Sequence, residues 1–243
     1  MRGGIRMEMS FGKVSSIMRY PVKSFAGERL DACEMETSGL AGDRIGAFRD
    51  ETKQGWNSYI TARQIPAMLS YHATVKDDIL HVVSPEGRAL RWDGELLADM
   101  QRHSKIEMSM TGYKAPHLEE PGLLAVDAAP VLIVTDASRR KLEAAWGKEL
   151  DIRRFRPNLV LAMNDPAFDD AQWIGRRLLI GTAELRVDSF CGRCSMIGLE
   201  PDTLQHDPSL HKTVSRQFGN HFGLYASVSV SGAIRIGDDV YEI

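Results

Sequence analysis

Cysteine is scarce: Cys33, Cys191 and Cys194 are the only three in 243 residues. An odd and small number excludes a disulfide framework in a chain of this length, so a cysteine with a role must act singly or in one pair. An excess of positive charge is also missing, because 30 Lys and Arg face 33 Asp and Glu for a formal net charge of -3. Neither nucleic acid nor a membrane surface is therefore expected as a partner, and any anion must be held by local basic residues. No apolar run approaches the roughly 20 residues of a spanning helix. The opening MRGGIRMEMSFGK lacks the apolar middle of a signal peptide. A cytoplasmic location is expected.

What is present is the balance of a globular protein, 43% hydrophobic and 26% charged, sufficient for one large domain or two small ones. Short alternating runs dominate and predict a mostly β chain with few helices, an α+β fold. In AELRVDSF, Leu185 and Val187 alternate with Glu184, Arg186 and Asp188, the period of a half-buried strand. The preceding RLLIGTA predicts a hairpin around Gly181. In ASVSVSGAIRIGDDVYEI, Val228 and Val230 fall on one face, and Ser231-Gly232 predicts a tight turn in a terminal strand pair that closes a sheet or barrel. ATVKDDILHVVSPEGRALRW predicts strands parted by Lys76-Asp77-Asp78 and Pro85-Glu86-Gly87. One helix is predicted in TDASRRKLEAAWGKEL, capped by Asp136 or Ser138 and ended by Gly147, with its N-terminus a candidate anion site. The stretch GYKAPHLEEPGLLAVDAAP, without a sustained period, predicts a joint between residues 10–115 and 116–243.

The chemistry-bearing residues concentrate in FCGRCSMIGLEPDT. A Cys-x-x-Cys redox pair would sit before a helix, and here turn residues follow. Structural zinc needs four ligands, and His206 and His211 lack a compact finger spacing. Two readings remain open: one working thiolate, helped by Gly192 and the charge of Arg193, or two small apolar residues at a strand end. Basic residues beside turn makers form a second cluster: Lys23 and Ser24 in YPVKS, Arg44 in AGDRIG, Arg63 in TARQ, and Arg156 and Asn158 in FRPN. Each alone reads as a surface residue. Together with the helix start at Ser138 they offer the donors that a phosphate monoester needs. His72, His81, His103 and His117 pair with no nucleophile by spacing, and NDPAFDD reads as a solvated loop.

Taken in order, YPVKS, GLAGDR, TARQIP, TDAS, FRPNLVL, CGRC, EPDT and IRIGDDVY resemble the MOSC family, named after the C-terminal domain of molybdenum cofactor sulfurase. The arrangement is similar to the amidoxime reducing components. The resemblance spans the chain from Tyr20 onward and implies an N-terminal β-barrel-like region (10–115) packed on a MOSC β-barrel domain (116–243). It also implies a molybdenum-molybdopterin cofactor whose metal takes Cys194, making Cys194 the catalytic and metal-binding residue. Lys23, Ser24, Arg44, Ser138, Arg156, Asn158, Gly192 and Arg193 match the family's cofactor contacts, with Tyr225 as a further match. At family level it carries pyridoxal phosphate binding as well. The implied activity is a molybdenum-dependent oxidoreductase that removes oxygen from N-hydroxylated small molecules such as hydroxylamines and amidoximes. Phe25 and Leu204 depart from the family pattern, so the substrate-side loop is expected to differ. With no cysteine after Cys194, electrons are expected from a separate iron-sulfur, flavin or cytochrome protein. Two other readings stand beside this one: a non-catalytic cofactor or sulfur carrier using Cys194, and an inert two-domain β protein.

Overall fold

The computed structural model describes residues 9–126 and 128–243. The opening stretch read for a leader thus falls, over residues 1–8, outside the described residues. Among the described residues strand predominates over helix, at 37% of the chain with three α-helices. Its centre is a closed seven-stranded barrel. Around the barrel run Leu159–Met163, Val131–Thr135, His221–Val230, Ala183–Gly192, Arg177–Ile180, Asp239–Glu242 and Gly12–Arg19, which pairs back onto Leu159–Met163.

Alternation fills the barrel as the sequence predicts. Leu185 and Val187 are fully buried, while Arg186 and Asp188 face outward. Val14, Ile17, Leu159, Leu161, Leu178, Ile180, Leu224 and Ala226 join them inside, beside Trp173 and Phe168 with ring centroids 4.6 Å apart. The Arg177–Ile180 and Ala183–Gly192 hairpin turns at Gly181, whose φ is +57°. The turn needs glycine twice over, because an added Cβ would lie 2.3 Å from the Ala233 carbonyl oxygen.

Among the described barrel strands, only Val131–Thr135 and Leu159–Met163 run parallel, and the helix Asp136–Trp146 makes the crossover between them. Covered on both faces, Val131–Thr135 is buried throughout. The helix cap differs from expectation: Thr135 accepts from the Ser138 amide at 3.0 Å, and Gly147 ends the helix at φ +76°. Thr135 takes this place because it is the last strand residue, already extended and buried. Two further α-helices, Gly94–Gln101 and Pro208–Gln217, are capped by Asp93 and Asp207.

The predicted C-terminal hairpin does not form. After Val230 the chain leaves the barrel, and Gly232–Arg235 pairs with Ala32–Glu36 before Asp239–Glu242 returns to close the barrel. Val230 is exposed rather than sharing the buried side with Val228, because a register shift between Glu184 and Leu185 pairs it with the outward-facing Glu184. The close approach of Gly232 to Thr182, 2.5 Å from a would-be Cβ, marks this departure.

The N-terminal region packs Phe25, Phe48 and Tyr71 into one aromatic stack at 5.1 and 5.7 Å. It is covered by the meander His72–Lys76, Ile79–Val83, Ala89–Arg91, whose first turn places Asp77 and Asp78 at positive φ. Leu199 from the C-terminal half belongs to this same core. Residues 112–130 contain neither helix nor strand among those described. Gly181→Ala is expected to destabilise the fold by about 2 kcal/mol or more through strain and backbone overlap, read as a lower denaturant midpoint with an unchanged m-value.

Candidate active site

A cleft of about 230 Å³ opens between the barrel wall and the N-terminal region. Its lining joins Lys23, Ser24, Arg44, Arg156 and Asn158 to Gly192, Arg193, Cys194 and Tyr225. Segments more than 160 residues apart in sequence thus meet at one surface. Ser138 does not join them. Its hydroxyl turns back on its own helix start, 3.0 Å from the Thr135 carbonyl, and it borders another hollow with Lys141, Asp170 and Phe222.

The barrel delivers Cys194 through a bulge. Pairing between Ala183–Gly192 and His221–Val230 shifts register after Val187 and again after Phe190. Such shifts re-aim side chains. Phe190 consequently stands outward at 38% exposure, Cys191 is buried in the cleft wall, and Gly192 and Cys194 reach the surface of the cleft. None of the three cysteines forms a disulfide. An added Cβ on Gly192 would meet nothing within 4 Å, so the space beside it is open cleft rather than packed protein. Cys194 precedes the 3-10 helix Ser195–Gly198 without using its sulfur as a cap, leaving the thiol available.

Arg193 is a clamp more than a free charge. Its guanidinium donates to the carbonyls of Phe222 at 2.8 Å and Phe155 at 3.1 Å and lies 5.0 Å over the Phe155 ring. Asn220 grips the backbone from the other side, donating to the Arg193 carbonyl and accepting from its amide, both at 2.8 Å. The residue before Cys194 is thereby fixed at both ends. Nη2 of Arg193 is buried with no hydrogen-bond partner among the described residues.

Opposite Cys194, the loop after Gly12–Arg19 presents Lys23 and Ser24. Lys23 is only 3% exposed, donates to the carbonyls of Ala125 and Val126, and stands 4.4 Å from the Trp56 ring centroid. Ser24, Arg44 and Arg156 all have positive φ, at 67°, 52° and 55°. A non-glycine residue there carries strain on the order of 1 kcal/mol or more. Surrounding contacts hold them: the guanidinium groups of Arg44 and Arg156 lie 4.6 and 4.2 Å from the Tyr20 ring centroid, and Arg156 also donates to the Phe25 carbonyl. Burial pushes the Tyr20 phenol up to about 12, so it stays protonated. Asp43 accepts from the Tyr20 amide and from Arg44; burial pushes its carboxyl up against the opposing pull of Arg44. Asn158 is a bridge, accepting from the Leu132 amide and donating to the Met18 carbonyl.

Sequence spacing did not reveal Asp43, Trp56, Thr61, Phe155 or Met196, which also line the cleft. Asp43 adjoins Arg44 in the same motif and could have been found there. Trp56 lies in the short 3-10 helix Gly55–Ser58, which carries no apolar periodicity to mark it.

A sequence model of the MOSC domain matches residues 120–241, and one of the MOSC N-terminal beta barrel domain matches residues 11–129. The chain belongs to the MOSC family. This MOSC protein is 28% identical to mitochondrial amidoxime reducing component 2 of Bos taurus, over 99% of the chain and 86% of that relative. It is 27% identical to the Homo sapiens mitochondrial amidoxime-reducing component 1, over 97% and 84%. The crystal structure of the YUAD protein from Bacillus subtilis shares the fold, with a TM-score of 0.50 and 13% identity over 94% of this chain and 93% of that one. The two relatives are mitochondrial by name, which differs from the cytoplasmic expectation. No helix among the described residues is long and apolar enough to cross a membrane.

The donor set suits a bound anionic cofactor with a soft metal: cations, the Asn158 amide and an accessible thiol line one cleft, with open space at Gly192. Alkylation should follow the same geometry. Burial pushes the Cys33 thiol up to about 12 and Cys191 is enclosed, whereas Cys194 is exposed. Limited iodoacetamide treatment near neutral pH is expected to modify Cys194 first, as read by peptide mass spectrometry.

Proposed function

We propose that this MOSC protein is a molybdenum-dependent oxidoreductase that reduces N-hydroxylated compounds, hydroxylamines or amidoximes, to amines or amidines. The observation that carries the reading is the meeting of the exposed Cys194 thiol with Lys23, Ser24, Arg44, Arg156 and Asn158 in one cleft. The names of the relatives, matched over nearly the whole chain, support the substrate class.

A molybdenum-pterin cofactor would be held at its metal by the Cys194 thiolate. Lys23, Ser24, Arg44, Arg156 and Asn158 would hold its anionic and pterin portions, with Gly192 and Tyr225 beside it. When bound, it supplies the two-electron exchange. The residues of the chain bind and orient. Arg193 and Asn220 fix the direction of Cys194, the buried Lys23 and Arg156 fix positive charge, and the Tyr20 ring packs against Arg44 and Arg156. Overall, the N–O bond breaks, two electrons and two protons are consumed, and the products are the N–H compound and water. The electrons come from a separate donor protein of iron-sulfur, flavin or cytochrome type.

Protein folded in a host that makes the cofactor is expected to contain about one molybdenum and one pterin per chain, falling at least about tenfold in Cys194→Ala. Elemental analysis and pterin fluorescence measure both. With a reduced dye as donor, the wild type should convert benzamidoxime to benzamidine. Stoichiometric cofactor without turnover would instead support a cofactor or sulfur carrier, and absence of molybdenum from such a preparation would remove the molybdenum reading.

Asn220 gives a more selective test. Asn220→Ala removes both the grip on the Arg193 carbonyl and an asparagine suited to φ +64°. It is expected to lower molybdenum retention during gel filtration while the far-ultraviolet circular dichroism spectrum stays that of the wild type.

A further inference from the structure

One cation of the cleft stands apart from the others. Lys23 is held by two backbone carbonyls, Arg44 by Asp43, Arg156 by the Phe25 carbonyl, and Arg193 by those of Phe155 and Phe222. Arg63 is exposed, and its only side-chain bond among the described residues runs from Nε to Thr61 Oγ1 at 3.3 Å. Thr61 is itself buried, with its hydroxyl donating to Gln64 Oε1 at 2.6 Å. The stem of Arg63 is therefore anchored while both Nη groups remain available.

Arg63 also lies where the cleft meets a second, open hollow lined by Lys53, Gln54, Asn57 and Gln64. No carboxylate lines that hollow among the described residues. Lys53 is already paired with Asp50 at 2.9 Å, and the side-chain amides of Gln54 and Asn57 make no hydrogen bond among the described residues. The outer end of the cleft thus offers a forked cation and neutral amides, with Trp56 as a flat wall further in. A guanidinium fork matches a carboxylate or phosphate through two parallel hydrogen bonds.

We propose that Arg63 binds an anionic group of the substrate, a carboxylate or phosphate remote from the N–O bond, so that this protein favours acidic N-hydroxylated compounds. The inference rests on the N-reductive reading of the cleft. Burial separates the two anion demands: a resident cofactor is served by Lys23 and Arg156, 3% and 7% exposed, whereas an exchanging substrate needs a donor open to solvent, as Arg63 is.

The test uses holoenzyme with a reduced dye and two substrates, benzamidoxime and its 4-carboxylate derivative. The wild type is expected to favour the carboxylate in kcat/KM, with the preference shrinking as salt is added. Arg63→Gln should reduce that preference at least about tenfold, equivalent to about 1.4 kcal/mol, mainly through KM, and Arg63→Lys should retain part of it. Calorimetric titration with unreactive 4-carboxybenzamide provides a second readout, with binding lost in Arg63→Gln. Turnover of both substrates with no charge preference, or an unchanged preference in Arg63→Gln, overturns the inference and leaves N-reduction standing. Loss of molybdenum or pterin from Arg63→Gln also overturns it, because Arg63 would then serve the cofactor. If neither substrate turns over, Arg63-dependent binding of 4-carboxybenzamide upholds the anion site while N-reduction falls, and absence of binding overturns the anion site.

Discussion

The pairing of Gly12–Arg19 between Leu159–Met163 and Asp239–Glu242 is the constraint on which the site depends. This first strand closes a barrel otherwise built from residues 131–242, so closure must bring the two ends of the chain together. It runs directly into Tyr20, Lys23 and Ser24, and barrel closure therefore sets the basic loop against the cysteine wall. The reciprocal exchange of Gly232–Arg235 onto Ala32–Glu36, and the packing of Leu199 into the N-terminal core, lock the same arrangement. Fold and site are thus one problem: burial of Ile17 and Val14 inside the barrel orients the residues that follow.

Within the cleft, charge is organised by packing rather than by exposure. The Tyr20 ring packs against both Arg44 and Arg156, Asp43 offsets Arg44, and backbone carbonyls occupy Lys23 and Arg193. Buried cations bonded in this way cannot reorganise cheaply, and a preorganised positive wall is what a permanently bound anion needs. Ser24, Arg44 and Arg156 at positive φ show where local strain is tolerated to keep that wall in place. Arg63, tethered among the described residues through Nε alone, follows a different logic suited to a ligand that comes and goes.

Much of this was legible in the chain. The alternation of Leu185 and Val187, the turn at Gly181 and the meander around Asp77-Asp78 are local, and period and turn chemistry determine them. The motif resemblance grouped Cys194 with Lys23, Arg44, Arg156 and Asn158, and these share the cleft. Ser138 was grouped with them because a helix N-terminus offers free amides, but Thr135 and the helix itself occupy its hydroxyl and amide. The serine-rich run before Gly232 suggested a hairpin because local turn chemistry is blind to a nonlocal partner, here Ala32–Glu36.

The sequence by itself determined the strand-rich character, the isolated thiol and the basic residues beside turns, because composition, period and backbone preference act over a few neighbours. Tertiary structure alone decided that the first strand completes the last barrel, that a bulge buries Cys191 in the cleft wall and sends Cys194 to the cleft surface, and that Arg193 is spent on carbonyls while Arg63 is left open. Each of these depends on groups far apart in the chain competing for the same hydrogen bonds and the same buried space, and no local pattern records which competitor wins.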